Sequence, residues 1–346
     1  MAKKALITGI YGQDGSYLTE LLLEKGYEVW GVDRDAPEDF HETFEHLKPK
    51  VHLLQGDLMD QMGVLKMFEK VMPDEIYNFA ACSFIPFSWD EPVITGEVNA
   101  LGVARLLEVI RRVKPDVRFY QASSSELFGK PDTKPQNENT PFRPGTPYGT
   151  AKLYAHWLTA NFRDRLGLFS CSGILYNHES ERRGKQFVTR KITSAAAAIK
   201  KGQQNELVLG DIDAKRDWGY AKDYVKAMWL MLQQDKPSDY VIATGIEHSV
   251  KDILDIAFGT LDLDWHDYVK QDKTLMRRVE LNRLVGDSSK ARKELGWEPS
   301  ITFEEMIKRR RPGGSGRSFP SDNSGTGPPC PPSRRYRSNN PPVGAP

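Results

Sequence analysis

Four side chains in the first half of the chain have the types and spacing of a proton-transfer site: Ser124, Glu126, Tyr148 and Lys152. Tyr148 and Lys152 stand four residues apart, one helical turn on the same face, so the ammonium can hold a ribose and lower the phenol's pKa. Tyr-x-x-x-Lys pairs arise often by chance on helix surfaces. Chance does not usually place Ser123-Ser124-Ser125-Glu126 at the C-terminal end of the preceding strand, where open parallel sheets bind ligands. A tyrosine, a lysine and a hydroxyl suffice for an epimerase or a simple reductase. Glu126 adds a carboxylate that can act as base toward a carbon-bound proton, unless it only caps the turn that follows.

A second cluster lies downstream. The apolar run through Gly173-Ile174-Leu175 ends in Asn177-His178-Glu179-Ser180-Glu181-Arg182-Arg183-Gly184. Charged groups beside a buried strand are unfavourable unless paired, and a ligand carrying phosphates is a natural partner; the plain alternative is a solvated loop between strand and helix. The phosphate reading gains from Thr8-Gly9-Ile10-Tyr11-Gly12-Gln13-Asp14-Gly15, which sits between a first strand and a first helix. Glycines there permit a tight turn, and backbone amides at the helix N-terminus meet a pyrophosphate. This predicts dinucleotide binding around Gly9, Gly12, Gln13, Asp14 and Gly15. Asp57-Leu58 after strand three and Ala80-Ala81 after strand four fall where such a fold meets adenine and the cofactor's central portion. At the end of strand two, Asp33 favours the free ribose of NAD and Arg34 the 2′-phosphate of NADP.

The elements that position these groups follow from alternating β-type and amphipathic helical runs. Strands are predicted at Lys4 to Thr8, Glu28 to Val32, Val51 to Leu54, Glu75 to Phe79, Arg118 to Ala122 and Phe169 to Leu175. Helices are predicted from Ser16 to Lys25 and near 61 to 71, 97 to 112 and 148 to 166. That rhythm predicts an α/β fold: a doubly wound, Rossmann-type parallel sheet covered on both faces. The expected domains are residues 1–185 for the dinucleotide, with some later segments returning to it, and 186–311 as a smaller, mixed α/β substrate lobe. That lobe includes a short strand at Val241 to Ala243 and a helix from Phe303 to about Lys308. Residues 312–346, rich in Pro, Gly, Ser, Asn and Arg, are predicted to form a disordered tail that reads equally as a non-native terminus.

Composition narrows the partners. The 346 residues carry 48 lysines and arginines against 47 acidic groups, so the global basic field of a non-specific nucleic-acid binder is missing. No stretch has signal-peptide or membrane-spanning length, which predicts a soluble cytoplasmic protein. Cys82, Cys171 and Cys330 have neither metal-site nor disulfide spacing, and reduced thiols with no metal are expected.

With these motifs in place the chain resembles the GDP-mannose 4,6-dehydratases. The resemblance rests on GIYGQDGSYL (Gly9 to Leu18), QASSSELFG (Gln121 to Gly129), TPYGTAKLYA (Thr146 to Ala155), GILYNHESERRG (Gly173 to Gly184), FVTRKI (Phe187 to Ile192), LGDIDAKRDWGY (Leu209 to Tyr220) and MWLMLQQDKPSDYVIAT (Met228 to Thr244). It covers roughly residues 1 to 308. It implies a redox-neutral elimination that turns GDP-mannose into GDP-4-keto-6-deoxymannose. Tyr148 would take the C4 hydroxyl proton, Glu126 the C5 proton, and Ser124 with Glu126 would assist loss of the C6 hydroxyl. The resemblance further implies NADP, with NAD kept open by Asp33. It implies cofactor contacts from Ser83, His178 and Arg183, Arg183 reaching a neighbouring subunit's cofactor, in a homodimer or homotetramer. Ser88, Asn177, Val188, Lys191, Arg216, Arg277 and Glu280 match the substrate-nucleotide region.

Departures from the family pattern are Ser124 for threonine, Tyr11 for a smaller residue, Glu181 for proline, Arg34-Asp35 for Arg-Arg and Arg277-Arg278 for Arg-Pro. Rival readings are a GDP-sugar reductase or epimerase, a GDP-heptose dehydratase, and a non-catalytic dinucleotide sensor. The joint presence of Ser124, Glu126, Tyr148 and Lys152 argues against the sensor.

Overall fold

The computed structural model describes residues 2–35, 44–275 and 284–309. Arg277, Glu280 and the tail at 312–346 lie outside the described residues. The strands are β1 (Lys4–Thr8), β2 (Glu28–Asp33), β3 (His52–Gln55), β4 (Glu75–Asn78), β5 (Arg118–Ala122), β6 (Ser170–Leu175), β7 (Asn177–Glu179), β8 (Leu207–Leu209), β9 (Lys215–Tyr220), β10 (Tyr240–Ile242), β11 (Glu247–Ser249) and β12 (Val269–Gln271). The helices are α1 (Gln13–Glu24), α2 (Gln61–Val71), α3 (Ile85–Asp90), α4 (Pro92–Gly96), α5 (Gly102–Val113), α6 (Pro147–Leu166), α7 (Val188–Lys200), α8 (Ala221–Met231), α9 (Val250–Gly259), α10 (Ser289–Leu295) and α11 (Phe303–Arg309).

Seven parallel strands form the main sheet in the order β10-β6-β5-β4-β1-β2-β3. Every residue of β4 and β6 is buried, as expected of a parallel sheet covered on both faces. One cover consists of α2, α5 and α6. In α5, Val103, Leu106, Leu107 and Ile110 recur at helical spacing and pack with Val64, Phe68 and Phe119. On the other face α1 lies against α8, with Tyr17, Leu18 and Leu22 in one core with Tyr224, Val225 and Met228.

The order reverses between β1 and β4, so the crevice at the switch point opens between the loops that leave these two strands. Gly9 takes the left-handed conformation, φ +70°, and a Cβ there would lie 3.0 Å from the Ala80 nitrogen. At Gly15 a Cβ would come within 2.6 Å of the carbonyl oxygens of Gly9 and Ile10. These two glycines let α1 start directly on the strand end.

A smaller region carries a three-stranded sheet, β11-β9-β7, and the pair β12-β8. Its core joins Ile192, Leu207, Trp218, Ile253, Phe258 and Met306. Two placements differ from the sequence reading. The short strand near 241 belongs to the main sheet, pairing Tyr240–Ile242 with Gly173–Leu175, and α8 covers that sheet. The polar run after Tyr176 is a strand, β7, paired in parallel with Trp218–Tyr220 of β9.

Candidate active site

A cleft of about 770 Å³ lies along the C-terminal ends of the main strands and reaches into the smaller region. Gly9, Gly12, Gln13, Asp14 and Gly15 line one end, and Ser124, Glu126, Tyr148 and Lys152 line the middle. Asn177, His178, Arg183, Val188, Lys191 and Arg216 line the side made by β7, α7 and β9.

The proton-transfer groups owe their positions to local capping. Thr146 caps α6, accepting from the Gly149 N–H at 2.9 Å, with Pro147 in the first turn, which fixes where the helix starts. Tyr148 and Lys152 then project from one face into the cleft. Ser124 caps the turn Ser125–Leu127, its Oγ accepting from the Glu126 N–H at 3.2 Å. The cap is therefore Ser124, and the Glu126 carboxyl is one of the cleft's lining groups.

Electrostatics tie Tyr148 to Ser124 and Glu126, and the phenol moves up, opposite to the lowering expected from Lys152. Burial pushes the Tyr148 phenol up to about 12; a hydrogen bond with Ser124 works against that rise and the charge of Glu126 adds to it. Burial pulls Lys152 down to about 8, partly offset by Cys82 and Asp14. Lys152 Nζ donates to the Ala122 carbonyl at 2.9 Å and lies 5.9 Å from the Tyr148 ring centre.

The polar strand β7 straps the glycine loop. Gln13 Nε2 donates to the His178 carbonyl at 3.1 Å, and Ser180 Oγ donates to Gln13 Oε1 at 2.7 Å. His178 Nε2 lies 2.8 Å from Asp14 Oδ2, and its ring stacks on Tyr224 at 4.6 Å. The arginines of this run divide. Arg182 lies away from the cleft, ion-paired with Glu20 and 4.0 Å over the Tyr17 ring. Arg183 faces the cleft, 3.5 Å from Glu179 and 3.6 Å over the Phe187 ring.

Other sequence candidates sit elsewhere. Ser88 is buried and its hydroxyl donates to the Ile85 carbonyl inside α3, so it is not among the cleft's lining groups. Leu58 is a core residue packed with Val103 and Leu106. Asp57 Oδ1 accepts from the Met59 N–H at 2.9 Å in a turn. Arg34 is absent from the cleft lining; its backbone N–H donates to Asp33 Oδ1 at 2.8 Å. Ala80 donates its N–H to Thr8 Oγ1, while Ala81 and Ser83 line the cleft. Lys191 Nζ donates to the Val208 carbonyl at 2.7 Å. Sequence reasoning missed Phe84, Trp89, Gln186, Phe187 and Leu275, all cleft residues. Large apolar groups just before helix starts, as at Phe84 and Phe187, were the available signal.

The cleft suits a dinucleotide. The glycine turn has no room for Cβ atoms, the N-terminus of α1 faces the cleft, and Lys152, His178 and Arg183 supply cations. Among the described residues no His, Cys, Asp and Glu group could hold a metal ion, and no helix is long and apolar enough to cross a membrane.

Comparison with known proteins agrees. The profile of the GDP-mannose 4,6 dehydratase family matches residues 6–310. The chain is 49% identical over 318 residues to GDP-mannose 4,6 dehydratase 1 of Arabidopsis thaliana, covering 88% of each chain. It is 45% identical over 341 residues to the GDP-mannose 4,6-dehydratase of Vibrio cholerae serotype O1, covering 88% of this chain and 91% of that one. Among solved structures, the UDP-glucose 4-epimerase of Thermus thermophilus in complex with NAD aligns with a TM-score of 0.77 at 27% identity, covering 89% of this chain and 97% of that one.

Proposed function

The chain belongs to the GDP-mannose 4,6-dehydratase family, and from that premise we propose that it dehydrates GDP-mannose to GDP-4-keto-6-deoxymannose with NADP as its resident cofactor. The observation that carries this reading is Glu126 in the same cleft as Tyr148, its turn already capped by Ser124. An epimerase or reductase has no use for that carboxylate.

A dinucleotide held by the glycine loop, Lys152, His178 and Arg183 would supply the redox chemistry, hydride uptake from C4 of the sugar and hydride return at C6. The side chains manage the protons. Tyr148, hydrogen-bonded to Ser124 and beside the Lys152 ammonium, takes the proton of the C4 hydroxyl. The resulting ketone acidifies the C5 proton, which Glu126 removes. Glu126, with Ser124, passes that proton to the C6 hydroxyl, which departs as water, and the proton held by Tyr148 goes to C5, so both groups return to their starting states. Asn177, Val188, Lys191 and Arg216 meet the substrate nucleotide, and the planar guanidinium of Arg216 pairs two oxygens of its pyrophosphate at once. Cofactor contacts come from the glycine loop, Ala81, Ser83, Lys152, His178 and Arg183. NADP is favoured over NAD because Asp33 is engaged with the Arg34 backbone.

The exposed Tyr154 and Trp157 on α6 support a homodimer or homotetramer, to be checked by light scattering. The buried thiols of Cys82 and Cys171, not joined in a disulfide, suit the cytoplasm. The decisive assay is incubation with GDP-mannose without added reductant. The expected product is lighter by one water; no loss of water with intact bound cofactor overturns the dehydratase reading. Heat release of the bound dinucleotide identifies it.

A further inference from the structure

Phe84 and Phe187 meet edge-to-face, ring centres 6.0 Å apart and planes at 88°. They come from opposite walls. Phe84 is the residue before α3, on the segment leaving β4, and Phe187 is the residue before α7, in the smaller region. Both line the cleft, and Phe187 is held from its other side by the Arg183 guanidinium at 3.6 Å. Glu179, 3.5 Å from Arg183, fixes that guanidinium in turn. Two further large apolar side chains, Trp89 and Leu275, line the same cleft while 42% and 52% exposed. Apolar surface gathered around a polar cleft and left open to water marks a face that a ligand covers.

We propose that the Phe84–Phe187 bridge retains the oxidised sugar in the cleft until the reaction is complete. The inference rests on the dehydratase reading. After C4 has lost its hydride and its hydroxyl proton, the sugar is a ketone and the cofactor is reduced. If that ketone escapes, or escapes after losing water, the balance is one equivalent of oxidised sugar in solution and one enzyme left with reduced cofactor and no route back. A redox-neutral enzyme therefore needs slow release at this stage, independent of how well it binds the nucleotide. An aromatic contact spanning the two walls of the cleft supplies that barrier in addition to the cations that grip phosphates.

The test uses the full-length enzyme loaded with cofactor, and Phe84→Ala, Phe187→Ala and Phe84→Leu. After mixing with GDP-mannose, absorbance at about 340 nm reports reduced cofactor, and mass spectrometry reports released keto sugar. Loss of one aromatic pair is expected to speed escape about tenfold, so both alanine variants accumulate reduced cofactor with each round of turnover. Phe84→Leu, which keeps the apolar bulk but loses the ring, is expected to accumulate reduced cofactor more slowly than the alanine variants and faster than wild type. Circular dichroism and cofactor content confirm that the variants fold and load. Alanine variants that fold, load and return to oxidised cofactor as completely as wild type overturn the proposal. A wild type that forms no dehydrated sugar overturns the dehydratase reading instead, so the two failures are distinct.

Discussion

His178 Nε2 lies 2.8 Å from Asp14 Oδ2, and its Nδ1 lies 2.8 Å from the Tyr176 carbonyl oxygen. Both neighbours accept hydrogen bonds, so the ring carries both protons and is an imidazolium. Burial alone would lower its pKa, but the charge and hydrogen bond of Asp14 outweigh it and the net shift is upward. Asp14 is depressed for the complementary reason, burial being overcome by His178 and Arg183. The pair explains how a carboxylate is tolerated in a turn built for phosphates.

Breaking a buried pair on one side costs about 3–5 kcal/mol, so His178→Gln should destabilise the fold and loosen the dinucleotide by leaving Asp14 uncompensated. Asp14→Asn in the same chain should recover much of the loss. The stabilisation from His178 is complete below its ordinary 6.5 and fades as pH rises through the raised value. That from Asp14 is present above its ordinary 3.8 and fades as pH falls through the depressed one. Thermal melts across pH with cofactor titrations check this. Equal stability of wild type and His178→Gln near pH 6 would contradict it.

The Ser124–Tyr148 hydrogen bond restrains a phenol that burial has pushed up to about 12. Ser124→Ala should let the pKa rise further and slow turnover at pH 7 by about tenfold to a hundredfold, with the rate still climbing where wild type has levelled off. Ser124→Thr should be nearly neutral. Burial holds Lys152 at about 8, so cofactor affinity should weaken between pH 7 and 9, and Lys152→Met should flatten that dependence. A pH–rate profile of Ser124→Ala parallel to wild type would refute the assignment.

How much of this was readable depends on how local the cause is. β1, β5 and α2 match their sequence readings to the residue because Ala5-Leu6-Ile7 and Phe119-Tyr120 are β-type centres of short strands and α2 is an amphipathic run opened by an Asp60 cap. The glycine turn, the α6 cap and the four proton-transfer residues are likewise written in short stretches. β10 has only three residues, and its place in the main sheet depends on Gly173–Leu175 far upstream. β7 reads as a loop because His178 and Glu179 are polar; their burial is offset by Asp14 and Thr189, which no local pattern announces. The Phe84–Phe187 contact joins residues a hundred positions apart and left no periodic trace.

Glu126→Gln keeps the shape and removes the basic oxygen. It should retain dinucleotide and fold, and slow elimination by about a hundredfold or more. Hydrogen–deuterium exchange at C5 in heavy water is the direct readout, since exchange from the transient 4-ketone reports proton removal before any loss of water. Persistence of C5 exchange in Glu126→Gln would move the base to another residue.

Glu181 stands where the family has proline, and its charge looks adverse beside a phosphate cluster. The contacts say otherwise. Tyr17 Oη donates to Glu181 Oε1 at 2.5 Å, and the Arg182 guanidinium covers the Tyr17 ring while pairing with Glu20. Burial and then this bond raise the Tyr17 pKa, so the phenol stays a donor at any working pH. Glu181 is absent from the cleft lining and ties the strap after β7 to α1. Glu181→Gln, which keeps an acceptor for Tyr17, should therefore leave cofactor affinity unchanged. Glu181→Ala should cost about 1 kcal/mol, a melting shift of about 2 °C, again without tighter binding. Were the carboxylate repelling the cofactor's phosphates, both variants would bind NADP more tightly, most of all at low salt where screening is weak. A titration at two ionic strengths separates a latch from a repulsive charge.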